Sequence, residues 1–214
     1  RVVRRRQIVE GFDFQSITLK GNGEWETQLP GLPTGGPFDF EFLLEDSSGR
    51  ELDRRKVCDV YVGDLWITAG QSNMDGCGDL AQAETPTELV HDFGFGDDWQ
   101  VSEDPMHNCY ESLYPVYLTS YVSRTKRNPI AYTLRGAWPT WRSDGNLGTS
   151  LGLSFGKCVA EHANVPVGLI LCSLGGTTID QWSPALKEKG GESLYGAMMI
   201  RVAKCGGKVR GVLW

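Results

Sequence analysis

The sequence predicts an α/β fold: a parallel sheet in a three-layer arrangement, with a small β-rich lobe in front of it. Three observations predict it. Val60 to Ala69 is apolar almost throughout, Val165 to Leu174 is a second such run, and helical periodicity separates the later runs. Continuous apolar runs of this length are strands covered on both faces. Strand–helix–strand–helix–strand is then the order that builds a parallel sheet with helices on its faces.

Taken in order, residues 1 to about 60 read as β. Ser16-Ile17-Thr18-Leu19 is expected as a short strand and Gly21-Asn22-Gly23 as a turn, with Trp25 to Leu29 following. Phe38-Asp39-Phe40-Glu41-Phe42 alternates with period two, as a half-buried strand does, and Ser47-Ser48-Gly49-Arg50 is the next turn. The hydrolase-like part is expected over residues 61–214. Within it, residues 77–148 are rich in Gly, Pro, Trp and Asp and read as an irregular functional insertion built of loops and short elements. Leu151, Phe155, Val159 and His162 recur at helical spacing behind the cap-type residues Gly148-Thr149-Ser150. Glu192 to Cys205 reads as a second helix, with Leu194, Ala197, Met198 and Val202 inward and Gly206-Gly207 ending it. Val209 to Trp214 is a third buried-strand pattern. The chain opens in a strand-like segment and closes in this one, so a fragment is expected, its sheet incomplete and its last strand an exposed apolar edge.

Composition narrows the function classes. The 214 residues, 40% hydrophobic with seven tryptophans, suit one α/β domain and a small appendage. A net charge of −6, with basic clusters only at Arg4-Arg5-Arg6 and Arg54-Arg55-Lys56, argues against nucleic acid as a partner. No stretch of eighteen apolar residues exists, which gives no expectation of a membrane-spanning helix. The six cysteines form no C-x-x-C pair and have no histidine at zinc-ligand spacing, so no metal and no cofactor is expected. Cys158 and Cys172 lie in apolar stretches and read as core.

Two loops carry candidate chemistry. Ser72, in Gly70-Gln71-Ser72-Asn73-Met74, follows the first buried strand directly, and ligands of open α/β sheets bind at the carboxyl ends of the strands. Gly70 permits a sharp turn, and Gln71 and Asn73 offer amides. The segment is not the G-x-S-x-G elbow, because Met74 occupies the second glycine position. The second strand ends in Ser173-Leu174-Gly175-Gly176-Thr177-Thr178, where paired glycines expose backbone N–H groups of the kind that hold a developing oxyanion. Each loop has a plainer reading, a helix cap for the first and a tight strand-to-helix turn for the second.

Val62-Gly63-Asp64-Leu65-Trp66-Ile67-Thr68-Ala69-Gly70-Gln71-Ser72-Asn73-Met74 resembles the first block of the sialate O-acetylesterases, a branch of the SGNH hydrolases. Val165 to Ile170, then Ser173-Leu174-Gly175-Gly176-Thr177 and Trp182, resemble the second block, and Arg210 to Trp214 resembles the strand before the third. The resemblance implies Ser72 as nucleophile and first oxyanion donor, with a glycine of the Gly175–Gly176 pair, preferably Gly176, as the second. Gln71, Asn73 and Trp182 are implied at the substrate site, and Trp138 and Trp141 are further candidate sugar platforms. The substrate implied is an O-acetylated sugar, most closely sialic acid, cleaved in a secreted, periplasmic or lysosomal setting. The family's D-x-x-H histidine follows its third block and is absent here, so the chain alone is expected to be inactive. Asp104-Pro105-Met106-His107 fits D-x-x-H but precedes the second block, and His91 and His162 read as surface or packing residues. Acetylxylan or another polysaccharide ester is the alternative substrate; a non-catalytic carbohydrate-binding fragment is the alternative of another class.

Overall fold

The computed structural model describes residues 1–118 and 148–214. Two compact units divide the chain, Arg1–Gly63 and Asp64–Trp214.

The first unit is one antiparallel sheet. Strands β1 (Val2–Arg4), β2 (Gln7–Ile8), β3 (Gly35–Glu45) and β4 (Glu51–Val62) lie in the order β2-β1-β3-β4. Phe38 is fully buried, but Asp39 to Leu43 are all half-buried, so burial does not alternate along β3, whose pairing with β4 shifts register between Phe38 and Phe40. Asp46 shapes the β3–β4 turn by accepting the Ser48 hydroxyl and the Ser48 and Arg50 N–H groups, and these bonds, the hydroxyl's first, hold its carboxyl below the usual carboxylate range. The expected strand at Ser16–Leu19 does not form. The Gly21–Gly23 turn closes through bonds among Lys20, Asn22, Gly23 and Glu24; Ile17 and Leu19 stay exposed, and Trp25, though exposed, tilts against Phe42 of β3 with ring centroids 5.3 Å apart.

Among the described residues the second unit has five strands: β5 (Asp64–Thr68), β6 (Val90–Phe93), β7 (Trp99–Val101), β8 (Val167–Leu171) and β9 (Gly211–Leu213). Their order is β7-β6-β8-β5-β9. Neighbours pair in parallel except β6 with β7, which is antiparallel. Two of these strands arise from the segment read as an irregular insertion, and β6 pairs with β8 in the body of the sheet. The apolar rule missed β6 because its sequence, Val-His-Asp-Phe, buries a carboxyl: Asp92 is completely inaccessible. β9 is the sheet edge, with Val212 and Trp214 more than half exposed.

Helix α1 (Ser72–Asp75) is a single turn after β5; α2 (Leu151–Ala163) precedes β8, and α3 (Leu194–Lys204) precedes β9. Ser150 caps α2 by accepting the Gly152 N–H, and Asn164 closes it in the left-handed region. The buried face of α2 is Gly152, Leu153, Gly156 and Ala160, one position round from the face predicted; Leu151 is exposed. The glycines explain the rotation. A Cβ on Gly156 would stand 2.6 Å from a Val90 methyl carbon, so the missing side chains let the helix lie close on β6. α3 starts at its Ser193 cap and buries Leu194, Ala197 and Val202, but also Arg201. Cys172 is in the core as expected, whereas Cys158 is exposed on α2.

Candidate active site

Ser72 is positioned by the end of β5. The ladder runs past the strand: Ala69 N–H donates to the Leu213 carbonyl, Cys172 N–H to Thr68 and Leu174 N–H to Gly70. Gly70 then turns with φ of 110°, a conformation that side-chain-bearing residues avoid, and the chain enters α1 with Ser72 as its first helical residue. The N–H groups of a first helical turn have no partner within the helix. Among the described residues neither the Ser72 N–H nor its hydroxyl has a hydrogen-bond partner, and Ser72 is half-buried. Its carbonyl accepts the Gly76 N–H at 2.9 Å and the Cys77 thiol at 3.1 Å, which fixes the turn from behind.

The facing loop leaves β8 and is held at three points. Leu174 N–H is held by Gly70, Thr177 Oγ1 donates to the Leu174 carbonyl at 2.8 Å, and Gly175 N–H donates to Asp75 Oδ2 at 2.8 Å. Of the two expected donors, Gly175 is therefore already hydrogen-bonded and buried. Gly176 is exposed, stands at φ of 74°, and has an N–H without an acceptor among the described residues. Gln71 and Asn73 are exposed on the rim of α1.

Trp182 lies elsewhere than an open platform. It is 5% exposed, donates its indole N–H to Thr177 Oγ1 at 3.1 Å, and packs edge-on against Trp214 with centroids 5.2 Å apart. Its role is to brace the glycine loop. Trp214 is 60% exposed, and its ring stands next to Gly70, two residues before Ser72. Trp138 and Trp141 lie outside the described residues.

The histidines separate cleanly. His107 is buried, its Nε2 3.4 Å from Thr68 Oγ1 and its ring edge-on to Phe95. Burial, and secondarily the Arg201 guanidinium, lower its pKa to about 3. His162 packs its Nδ1 on the Cys158 carbonyl of its own helix, and His91 lies within β6. None of the three hydrogen-bonds Ser72. The D-x-x-H match at Asp104–His107 is thus a core histidine next to a buried strand end, not a partner of the serine.

Two residues near the site gave no signal in the sequence. Asp75 looks like an ordinary acidic residue of a helical turn, and only the fold brings Gly175 to it across 100 positions. Arg201 interrupts an apolar helix face. It donates to Asp97 and to the Phe93 and Gly94 carbonyls, and Asp97 also receives Lys204 and the Tyr114 hydroxyl. This network pins the end of β6 against α3. Among the described residues no group of three or more His, Cys, Asp or Glu side chains could hold a metal ion, and no helix is long and apolar enough to cross a membrane.

The second unit is thus an α/β domain whose mainly parallel sheet carries a serine turn after one strand and a glycine turn after its neighbour. Residues 62–214 match the family model described as carbohydrate esterase, sialic acid-specific acetylesterase, and the chain belongs to that family. It is similar to the sialate O-acetylesterase of rat, 29% identical over 176 residues, covering 78% of this chain and 28% of the rat protein. The mouse sialate O-acetylesterase is 26% identical over 168 residues, covering 74% of this chain and 27% of that protein. The chain thus spans less than a third of the length of these relatives. A crystal structure of a carbohydrate acetylesterase from Xanthomonas citri aligns with 23% identity and a TM-score of 0.48, covering 90% of this chain and 40% of that one.

Proposed function

We propose that this chain carries the nucleophile and two oxyanion donors of a serine-dependent carbohydrate O-acetylesterase whose substrates are O-acetylated sugars, sialic acids first among them. The observation that carries the reading is the pairing of two loops at the carboxyl ends of adjacent parallel strands. Among the described residues, one presents the Ser72 hydroxyl and N–H without partners and the other the Gly176 N–H without a partner. Sialate O-acetylesterase is the name of the relatives at 26–29% identity, which supports the acetyl ester as the bond cleaved.

The chemistry is acyl transfer in two steps. A base removes the Ser72 proton as Oγ attacks the acetyl carbonyl, the Ser72–acetyl bond forms, and the sugar hydroxyl leaves with a proton. Water then attacks the acetyl-serine and releases acetate. The Ser72 and Gly176 N–H groups receive the negative charge that collects on the carbonyl oxygen, each donor contributing about 3 kcal/mol to lowering the barrier. A base works best with a pKa near the operating pH, and His107 at about 3 is far below it. His107 is therefore not the base of this reading, and neither His91 nor His162 hydrogen-bonds Ser72 among the described residues.

Acetate release by the complete gene product from O-acetylated sialic acid and from acetylxylan tests the reading, with Ser72→Ala as the control. The expected result is faster release from the sialic acid ester and a loss of at least 1,000-fold in Ser72→Ala, on the order of what removing a serine nucleophile costs. Preference for acetylxylan would move the substrate to plant polysaccharide. Release that survives Ser72→Ala would end the serine-esterase reading, and sugar binding without any release would mean a carbohydrate-binding protein.

A further inference from the structure

We infer that Asp75 is a positioning residue for the oxyanion site: its carboxyl holds the Gly175–Gly176 turn so that the Gly176 N–H is the group left free to act. The inference rests on the acetylesterase reading above. Asp75 lies three positions after Ser72 on the same helical turn, so nucleophile and carboxyl are carried by one rigid segment. The side chain is 8% exposed, and its Oδ2 accepts the Gly175 N–H at 2.8 Å. A buried backbone N–H must find an acceptor, and without Asp75 this one would have to turn elsewhere.

The consequence for Gly176 is geometric. The turn is fixed at Leu174 by the Gly70 carbonyl, at Gly175 by Asp75, and between Leu174 and Thr177 by the threonine hydroxyl. Residue 176 is what remains at the tip, in the left-handed region at φ of 74°. Two glycines in succession leave many backbone conformations open, and the Asp75 contact selects among them. A donor that is preorganised needs no rearrangement as charge develops, so a loosened turn slows the chemical step more than it weakens binding. An acceptor is what the Gly175 N–H needs, and an asparagine oxygen supplies one. Alanine supplies none, and a serine side chain is too short.

The experiment compares wild type, D75A, D75S and D75N in the complete gene product, with melting curves to verify folding. It reads kcat and KM on 4-nitrophenyl acetate and amide hydrogen exchange at Gly175. D75A and D75S are expected to lower kcat about 10- to 100-fold with KM within twofold, and to speed Gly175 exchange at least tenfold. D75N is expected to restore both to within about threefold. Truncated variants that fold and exchange faster at Gly175, yet keep wild-type kcat, would make Asp75 structural only and overturn the inference alone. So would a folded D75N as slow as D75A. A wild type inert to the ester overturns the acetylesterase reading, and this inference with it.

Discussion

Burial and the Arg201 guanidinium lower the His107 imidazole to about 3, which favours the neutral ring where a free imidazole would be charged. His107→Gln in the complete gene product is accordingly expected to keep kcat on an acetyl ester within about threefold of wild type. A fall of 100-fold or more would restore His107 as the base. The site was legible where its chemistry sits in consecutive residues. Ser72 and the glycine pair follow apolar runs, and both fall at strand ends as read. Asp75 was illegible because its meaning is a bond to a backbone N–H 100 positions away, which no local pattern encodes. The same holds for His107, where four residues of motif said less than the phenylalanine and threonine that the fold packs around it. Trp182 was misjudged for a related reason: nearness to the glycine loop in sequence became burial beneath it.

β5 and β8 were readable as continuous apolar runs, because both of their faces are covered. β6 was not, since Asp92 gives it a polar interior position that periodicity scores as loop. α2 was found at its expected place with its face displaced by one residue, since glycine carries no hydrophobic signal although Gly156 makes the closest approach. Gly156→Ala tests that approach. Alanine favours the helix by about 1 kcal/mol, whereas overpacking a tight contact costs about 1–3 kcal/mol. With Val90 only 2.6 Å from the new carbon, the clash is expected to win, and urea denaturation should show net destabilisation. A stabilised Gly156→Ala would mean that α2 lifts from β6 at no cost. Arg201→Met tests the other helix. It takes the buried donor from the Phe93 and Gly94 carbonyls, while Asp97 keeps Lys204 and the Tyr114 hydroxyl, and leaving buried acceptors unsatisfied costs about 1–3 kcal/mol. A loss below 1 kcal/mol in urea denaturation would show that the network contributes little to holding β6 against α3.

At the scale of the whole molecule, two buried groups act on stability in opposite directions as pH changes. Burial raises the Asp92 carboxyl from 3.8 to about 7, outweighing its bond from Gln100 and the Arg201 charge. Between those two values the folded protein keeps a proton that the unfolded chain has released, so this contribution to stability falls as pH rises. His107 runs the other way, from 6.5 down to about 3. Over that interval the unfolded chain binds a proton that the folded protein refuses, so this contribution rises with pH and is complete above 6.5. Each slope approaches 1.4 kcal/mol per pH unit. Where the windows overlap, between 3.8 and 6.5, the two offset each other. Removing one exposes the other, and subtracting wild type cancels the surface carboxyls Asp39, Asp46 and Glu51, whose hydrogen bonds lower them in every variant alike. Asp92→Asn is expected to gain stability relative to wild type as pH rises from 4 toward 7, and His107→Gln to lose it over the same range. Urea midpoints at pH 4.5, 5.5 and 6.5 measure both differences. Parallel curves for either variant and wild type would mean that its group titrates alike folded and unfolded, and hence that water reaches it inside the sheet.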